Sequence, residues 1–199
     1  GDGNSNVFGY SYDGINWFSS GSSNLTTGNC VAWNGTRFVA GGVTSDEMNA
    51  EYIFAYSTDG ITWSAGRTGG MTPCNDISWN GSMFVAVGGT TTSTVFGYSY
   101  DGIIWFGGSN RIISSPTITT GNCIAPNNKR EHQITMPSNL MVAVGQASTP
   151  TTSNVFTYST NGIIWSPGIN NSAMTIGKSV VWNGSKWIAT GINTINNTI

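Results

Sequence analysis

Two groups of charged side chains are the places where this sequence could carry chemistry. Asp46, Glu47 and Glu51 crowd one stretch between two predicted strands. Glycoside hydrolysis needs two carboxyl groups about 5–10 Å apart, and this stretch could supply such a pair. A solvated surface loop explains the same residues, and we favour that interpretation because no Arg accompanies them in a recognisable pattern.

The second group is the densest charged cluster of the chain, Lys129, Arg130, Glu131 and His132. It lies in an insertion, about residues 126–139, that interrupts an otherwise regular repeat. Such a departure points to a special role, so we predict a candidate interaction loop for a partner or a ligand. The alternative is a tolerated surface insertion. A single His without a second candidate ligand does not indicate a metal site.

The elements that must position these residues follow from one motif, Ser-x-(Asp/Asn)-Gly-Ile-x-Trp, which occurs four times. Asp and Asn side chains in turns bond nearby backbone amides. We therefore predict structural turns and no catalytic or calcium-binding set. Asn161 replaces Asp in the last copy, which suits hydrogen bonding and would weaken a metal site. The predicted turn residues are Ser11, Asp13, Gly14, Trp17, Ser57, Asp59, Gly60, Trp63, Ser99, Asp101, Gly102, Trp105, Ser159, Asn161, Gly162 and Trp165.

A second pattern, Trp-Asn-Gly followed by an apolar stretch, alternates with the first. It begins at Trp33, Trp79 and Trp182, and a degenerate copy has Pro126-Asn127-Asn128 in its place. Asn-Gly and Asp-Gly between apolar runs predict hairpins with type I′ turns, in which both central residues have positive φ. One unit then holds two hairpins and four strands. Such units, recurring every roughly 40–60 residues, are typical of β-propeller blades.

The phase of the repeat predicts how the fold begins and ends. The repeats cover nearly all 199 residues, so we expect a single all-β domain, residues 1–199. Pairing of the N- and C-terminal half-blades would close a four-bladed propeller and remove its exposed edges. The alternative is a fragment of a six- or seven-bladed propeller. The predicted boundaries are a half-blade at 7–18, blades at 28–66, 75–108 and 121–168, and a half-blade at 178–192.

Composition narrows the possible partners. Charged residues make up 8% of the chain and the net charge is -2, so there is no basic stripe for nucleic acid. No apolar run approaches the roughly 18–20 residues of a membrane span. Cys30, Cys74 and Cys123 lack metal-ligand spacing, and we interpret them as small core residues, with Cys30 and Cys123 on different blades. We expect no cofactor, because no P-loop or dinucleotide fingerprint stands out.

The first motif resembles the Asp-box, or bacterial neuraminidase repeat, with one residue fewer between Asp and Gly in every copy. The companion pattern is similar to propeller-like repeats of bacteria and of large DNA viruses that infect algae and amoebae. Together the resemblances cover roughly residues 7–191. They imply that Asp and Ser hold the turn, that Gly supplies its open backbone angle, and that Trp packs into the blade.

The Asp-box resemblance invites comparison with sialidases, which need three arginines, a Tyr–Glu pair and an acid/base carboxylate. Arg37, Arg67, Arg111 and Arg130 do not match that pattern. We therefore expect a non-catalytic structural or recognition module on a virion or extracellular surface, acting in attachment or assembly. Its expected partners are surface glycans or other proteins of an assembly. A sialidase-like hydrolase and an intracellular protein-interaction scaffold are the alternatives.

Overall fold

The computed structural model describes residues 7–21, 23–44, 52–89, 94–110, 118–127, 139–147, 154–169 and 174–193. All regular secondary structure in these ranges is β-strand. The strands are β1 (Gly9–Tyr10), β2 (Phe18–Ser19), β3 (Thr27–Trp33), β4 (Phe38–Val43), β5 (Phe54–Ser57), β6 (Ser64–Gly66), β7 (Cys74–Trp79), β8 (Phe84–Gly88), β9 (Phe96–Ser99), β10 (Phe106–Gly107), β11 (Ser109–Asn110), β12 (Ile118–Pro126), β13 (Met141–Ala147), β14 (Phe156–Ser159), β15 (Ile164–Pro167), β16 (Ile176–Trp182) and β17 (Trp187–Ile192).

Most of these strands form three antiparallel sheets whose neighbours follow chain order. Sheet 1 is β3–β4–β5–β6, sheet 2 is β7–β8–β9–β10, and sheet 3 is β12–β13–β14–β15. β1 and β2 form the N-terminal hairpin, and β16 and β17 form the C-terminal hairpin. Sheet 3 also pairs with β11, in parallel to β15, and with β16 at a single position. The predicted all-β class and four-stranded antiparallel sheets are confirmed.

The hairpins lie at the predicted dipeptides, but the predicted type I′ turns are wrong. Asn34 donates its backbone N–H to the carbonyl of Arg37 at 3.2 Å, and the turn spans residues 34–37. Gly35 has a φ of +101°, whereas the only non-glycine residue with positive φ among those described is Asn139. The Asn34 side chain explains the longer turn, because its Oδ1 accepts the N–H groups of Thr36 and Arg37. Asp59-Gly60 likewise lies in a longer turn, between Tyr56 and Ser64.

The sheets stack in chain order, and one aromatic pair marks each step. Phe8 of the N-terminal hairpin stacks on Trp63 of sheet 1, with ring centroids 4.0 Å apart. Phe54 stacks on Trp105 in the next sheet at 3.9 Å, and Phe96 stacks on Trp165 at 4.3 Å. The largest buried core clusters join sheets 1 and 2 and sheets 2 and 3. Because strands such as β8 are covered on both faces, they are apolar throughout rather than alternating.

The first strand of every sheet carries a β-bulge at the same place. The register shifts between Gly28 and Cys30, and the same shift recurs in β7, β12 and β16. A bulge leaves one residue out of the ladder and redirects its side chain. The residues in that position are Asn29, Asn75, Asn122 and Lys178.

The two terminal hairpins do not form one sheet in the structure. Within the described ranges β1 pairs only with β2 and β17 pairs only with β16. Within these ranges, β1 and β17 each have one unpaired edge. The predicted insertion leaves β12 at Pro126 and returns at Met141, with the Asn127 N–H donating to the Leu140 carbonyl at 2.8 Å.

Candidate functional site

The polar side chains of the first motif are used inside their own turn. In sheet 1, Ser57 Oγ donates to Asp59 Oδ1 at 2.8 Å and accepts the Gly60 N–H at 2.8 Å. Asp59 Oδ1 also accepts the backbone N–H groups of Ile61 and Thr62, both at 2.8 Å. Gly60 has a φ of +72°, which favours glycine. One carboxylate oxygen thus organises the whole turn.

The same network recurs in the other three copies. The Ser-to-Asp contact is present at Ser11–Asp13 and Ser99–Asp101. Asn161 takes the same place in the last copy, where its Oδ1 accepts the N–H groups of Ile163 at 3.0 Å and Ile164 at 2.9 Å. An amide oxygen therefore replaces a carboxylate oxygen without loss of geometry. The negative charge is not needed for the turn.

Hydrogen bonding to the carboxylates favours their ionised form. The backbone and side chain of Asn16, with the Ile15 N–H and the Ser11 hydroxyl, hold the pKa of Asp13 well below its usual range. The N–H groups of Thr62 and Ile61 lower the pKa of Asp59 to about 2. Burial pushes the pKa of Asp101 upward, but the bonds from Ile104, Ile103 and Ser99 outweigh it and the net shift is downward. None of these groups is poised to be a general acid near neutral pH.

Three of the four motif tryptophans share a local contact, and the four differ in burial. Trp17, Trp63 and Trp165 donate Nε1–H to the carbonyl of the motif glycine at 3.2–3.3 Å. Trp105 is buried, and its Nε1 has no hydrogen-bond partner within the described residues. Trp17 is exposed, whereas Trp165 is fully buried. Burial therefore depends on the neighbouring sheet and not on the turn.

A shallow groove lies beside Trp105, where sheet 1 leads into sheet 2. It has a volume of about 370 Å³ and is lined by Arg67, Thr68, Gly70, Ile104 and Trp105. The chain enters it from β6, as the Arg67 N–H donates to the Ile103 carbonyl at 2.8 Å. A cation, a hydroxyl and apolar side chains are combinations that ligand sites use. Sequence reasoning missed this groove, because its two walls are separated along the chain.

The first strands of the three sheets, β3, β7 and β12, hold a second set of polar contacts, which the sequence did not predict. The bulge residues Asn29, Asn75 and Asn122 donate Nδ2–H across to the next sheet, to the carbonyls of Cys74, Gly121 and Gly177, at 2.7–2.8 Å. The Gly-Asn-Cys sequence at both 28–30 and 121–123 could have signalled this role. These bonds fix the register between sheets.

Asp76 lies among these inter-sheet contacts. Its Oδ1 accepts the Ile77 N–H and its Oδ2 accepts the Ile124 N–H of sheet 3, both at 2.9 Å. Burial raises the pKa of Asp76, and the bonds from Ile124, Cys123 and Ile77 offset only part of that rise. Asp76 therefore connects sheets 2 and 3 through its two carboxylate oxygens.

The three cysteines lie on these same first strands, β3, β7 and β12. Cys30 Sγ is 3.8 Å from Cys74 Sγ, and both are free thiols. Burial raises the pKa of the Cys74 thiol and of the Cys123 thiol, which keeps them protonated. Cys30 and Cys123 occupy the same position in sheets 1 and 3, as predicted. Cys74 lies in the core cluster between sheets 1 and 2 with Cys30 packed against it, whereas Cys123 is half-buried beside Ser179 and Val180.

Several predicted residues lie outside the described ranges. They are Lys129, Arg130, Glu131 and His132 of the candidate interaction loop, the acidic residues Asp46, Glu47 and Glu51, and Arg111. Arg37 lies within the described ranges. Its guanidinium donates to the Asp101 carbonyl of sheet 2 and lies over the Tyr56 ring, 5.4 Å from the ring centroid. That position makes Arg37 a bridge between sheets.

Among the described residues, no group of three or more His, Cys, Asp or Glu side chains is placed to hold a metal ion. In the same ranges no helix is long and apolar enough to cross a membrane. No protein-family model matches the chain, and no curated protein matches it.

Proposed function

We propose that this chain is a non-catalytic structural or recognition module whose sheets are the blades of a β-propeller. The observation that carries the proposal is the repetition of one inter-sheet interface, with the same Phe–Trp stack and the same Asn bond at successive steps. A scaffold made of identical steps is rigid and can present loops of different length. The Asp-box resemblance supports the same architecture.

The propeller that we propose has four blades, closed by pairing of the N- and C-terminal hairpins. Each hairpin supplies the half that the other lacks, since one holds the third and fourth strands of a unit and the other holds the first and second. A fragment of a six- or seven-bladed propeller is the alternative. The blade number determines the shape of the proposed propeller, whereas the proposed recognition function depends on the loops that the propeller presents.

We propose two separate recognition elements, the interaction loop at residues 129–132 and the groove at Arg67 and Trp105. The Ser and Asp side chains of the first motif are excluded from the proposed recognition elements, because they are bonded within their own turns. The groove at Arg67 has a volume of about 370 Å³, which would suit a small polar ligand such as a sugar ring. We propose a virion or extracellular surface as the location, with attachment or assembly as the role.

The test is a glycan-array screen of the full chain beside three variants. One replaces Lys129, Arg130, Glu131 and His132 with Ala, and a second changes Thr68→Ala in the groove. The matched control is Lys186→Ala, an exposed cation in an Asn-Gly turn. We expect binding to one glycan class that the loop or groove variant weakens at least tenfold and the control leaves unchanged.

Two outcomes would count against the proposal. Release of free sugar from a bound glycan, measured by mass spectrometry, would make the chain a hydrolase and direct attention to Asp46, Glu47 and Glu51. Absence of binding by a sample with an intact thermal transition would remove glycan recognition and leave a structural role with other proteins of an assembly.

A further inference from the structure

Within the described residues, the first exposed surface is what we call the leading face, formed by the N-terminal hairpin and by β3, the first strand of sheet 1. We define it by Ile15, Trp17, Gly28 and Val31. Val31 is 60% exposed, while Ile77, at the same position in sheet 2, is 5% exposed because sheet 1 packs over it. Val31 is thus a core position that lacks its preceding sheet.

The second is the trailing face, formed by the end of sheet 3 and the C-terminal hairpin. We define it by Phe156, Ile169, Lys178 and Ile188. Phe156 is half-buried, whereas Phe54 and Phe96, its equivalents, are fully covered by a Trp of the following sheet. Ile188 is likewise exposed where Val39 and Val85 are buried. Each residue of the trailing face therefore lacks the contact that a following sheet would provide.

The partners missing from one face are present on the other. At each internal step a Phe stacks on the Trp of the next unit, so the next step would place Phe156 on Trp17. Backbone bonds repeat in the same way, from the Gly21 N–H to the Ile61 carbonyl and from the Arg67 N–H to the Ile103 carbonyl, both at 2.8 Å. The equivalent next pair is Ile169 and Ile15, which are 89% and 81% exposed.

The open strand edges match as well. In sheets 1, 2 and 3 the second strand pairs with the third through Ala40–Ala55, Ala86–Gly97 and Ala143–Thr157. The equivalent residues in the terminal hairpins are Ala189 of β17 and Gly9 of β1. The Asn bond has a counterpart too, since Lys178 occupies the donor position and Gly28 the acceptor position of a further step.

We infer that the leading and trailing faces of one chain bind each other, with β17 pairing to β1 in the register Ala189–Gly9 and Trp17 stacking on Phe156. This rests on the proposed propeller and names the partner of its two open ends. This interface would repeat the Phe–Trp contact that already joins neighbouring units at three steps. The occupant of each face is therefore specified by equivalent residues of the repeat and not by apolarity alone.

The same chain is favoured over a second copy for two reasons. The two faces are tethered, so their effective concentration is high without any new contact. Closure also removes both open edges at once, whereas head-to-tail contacts between copies leave an edge at each end unless the assembly itself forms a ring.

The test is a chain that carries Gly9→Cys and Ala189→Cys, exposed to oxidised glutathione at low protein concentration. Directly opposed residues of antiparallel strands lie within disulfide reach. The matched control carries Gly9→Cys and Ile188→Cys, because adjacent residues of a strand point to opposite faces. Chains that carry only one of the two added cysteines reveal any linkage to the native thiols Cys30, Cys74 and Cys123. The linkage in each chain is mapped by peptide mass spectrometry.

We expect a monomeric chain with a 9–189 disulfide, formed at least tenfold more completely than the 9–188 linkage of the control. A 9–189 linkage found only in covalent dimers or longer species would overturn the inference in favour of contacts between copies. Absence of the linkage in a chain with the parental thermal transition would overturn it as well. The result is independent of glycan binding, so failure here and failure of the proposed recognition function are distinguishable.

Discussion

Trp17 and Trp165 end two copies of the same motif, yet Trp17 is 67% exposed and Trp165 is fully buried. Their turns are alike: each indole donates to its motif glycine, and each turn has the same Ser contact to Asp or Asn. The difference lies in what covers them. Phe96 of sheet 2 stacks on Trp165, while no ring stacks on Trp17 within the described residues.

The comparison separates two sources of order in this fold. The turn is satisfied by its own hydrogen bonds and forms in both places. The difference in burial between the two indoles follows the presence of the preceding sheet, and a large aromatic contributes most of its stabilisation through burial. Terminal and internal copies should therefore respond differently to the same substitution, unless the two terminal faces are joined.

The largest expected effect is that of Trp165→Ala. Removing a fully buried Trp leaves a cavity against Phe96, so we expect the free energy of unfolding to fall by about 3–5 kcal/mol. Trp17→Ala should cost at least about 2 kcal/mol if Phe156 covers Trp17 as we infer. Urea unfolding followed by far-ultraviolet circular dichroism measures both.

Tyr12→Ala serves as the control, because Tyr12 is highly exposed beside the same turn and should change stability by less than about 0.5 kcal/mol. A Trp17→Ala chain no less stable than this control would show that the leading face stays open to solvent.

A smaller effect is expected from adding one methyl group at the glycine that precedes a bulge residue, which is Gly28 in β3 and Gly121 in β12. A Cβ at Gly121 would lie 2.6 Å from Val87 Cβ, so Gly121→Ala should destabilise the chain by about 1–3 kcal/mol. Gly28 is the equivalent position of sheet 1, where a Cβ would meet only Val7 at 3.7 Å. The residue equivalent to Val87 at the trailing face is Thr190. Thermal unfolding of both variants decides between two results: comparable losses if the faces are joined, and a neutral Gly28→Ala if they are not.

Much of the fold followed from the sequence because the turns are local. Asn-Gly and Asp-Gly lie in the turns that follow β1, β3, β5, β7, β9, β14 and β16, whereas the chain after β12 has Asn127-Asn128 instead. The apolar stretches located the strands. The turn type was missed because Asn34 and Asp59 cap later N–H groups with their side chains, which lengthens the turn beyond two residues. The dipeptide rule considers only backbone angles and does not include that contribution.

The inter-sheet contacts were harder to predict. Asn75 and Asp76 are adjacent polar residues in a strand, and the sequence does not show that both reach sheet 3. Their roles depend on a bulge and on residues about 46–48 positions away along the chain. The groove at Arg67 and Trp105 has the same cause. In contrast, the self-contained role of Ser57 and Asp59 could be inferred because all their partners lie within five residues.

The smallest expected effect is a difference in pH dependence between an internal interface and an exposed turn. Burial raises the pKa of Asp76 above its ordinary value, so the folded state disfavours the ionised form. Its contribution to stability is complete below about pH 3.8 and is lost as the pH rises through the raised pKa. Asp59 has the opposite sign: with a pKa of about 2, its contribution is present above about pH 4 and is lost as the pH falls toward 2.

Urea unfolding between pH 2 and 7 of the parent, Asp76→Asn and Asp59→Asn measures these slopes. The parent should lose stability relative to Asp76→Asn as the pH rises from about 4, with a limit of about 1.4 kcal/mol per pH unit for one group. It should lose stability relative to Asp59→Asn only at the acid end. Parallel curves for the parent and Asp76→Asn would mean that water reaches Asp76, and that the contact between sheets 2 and 3 is looser than its bond to Ile124 indicates.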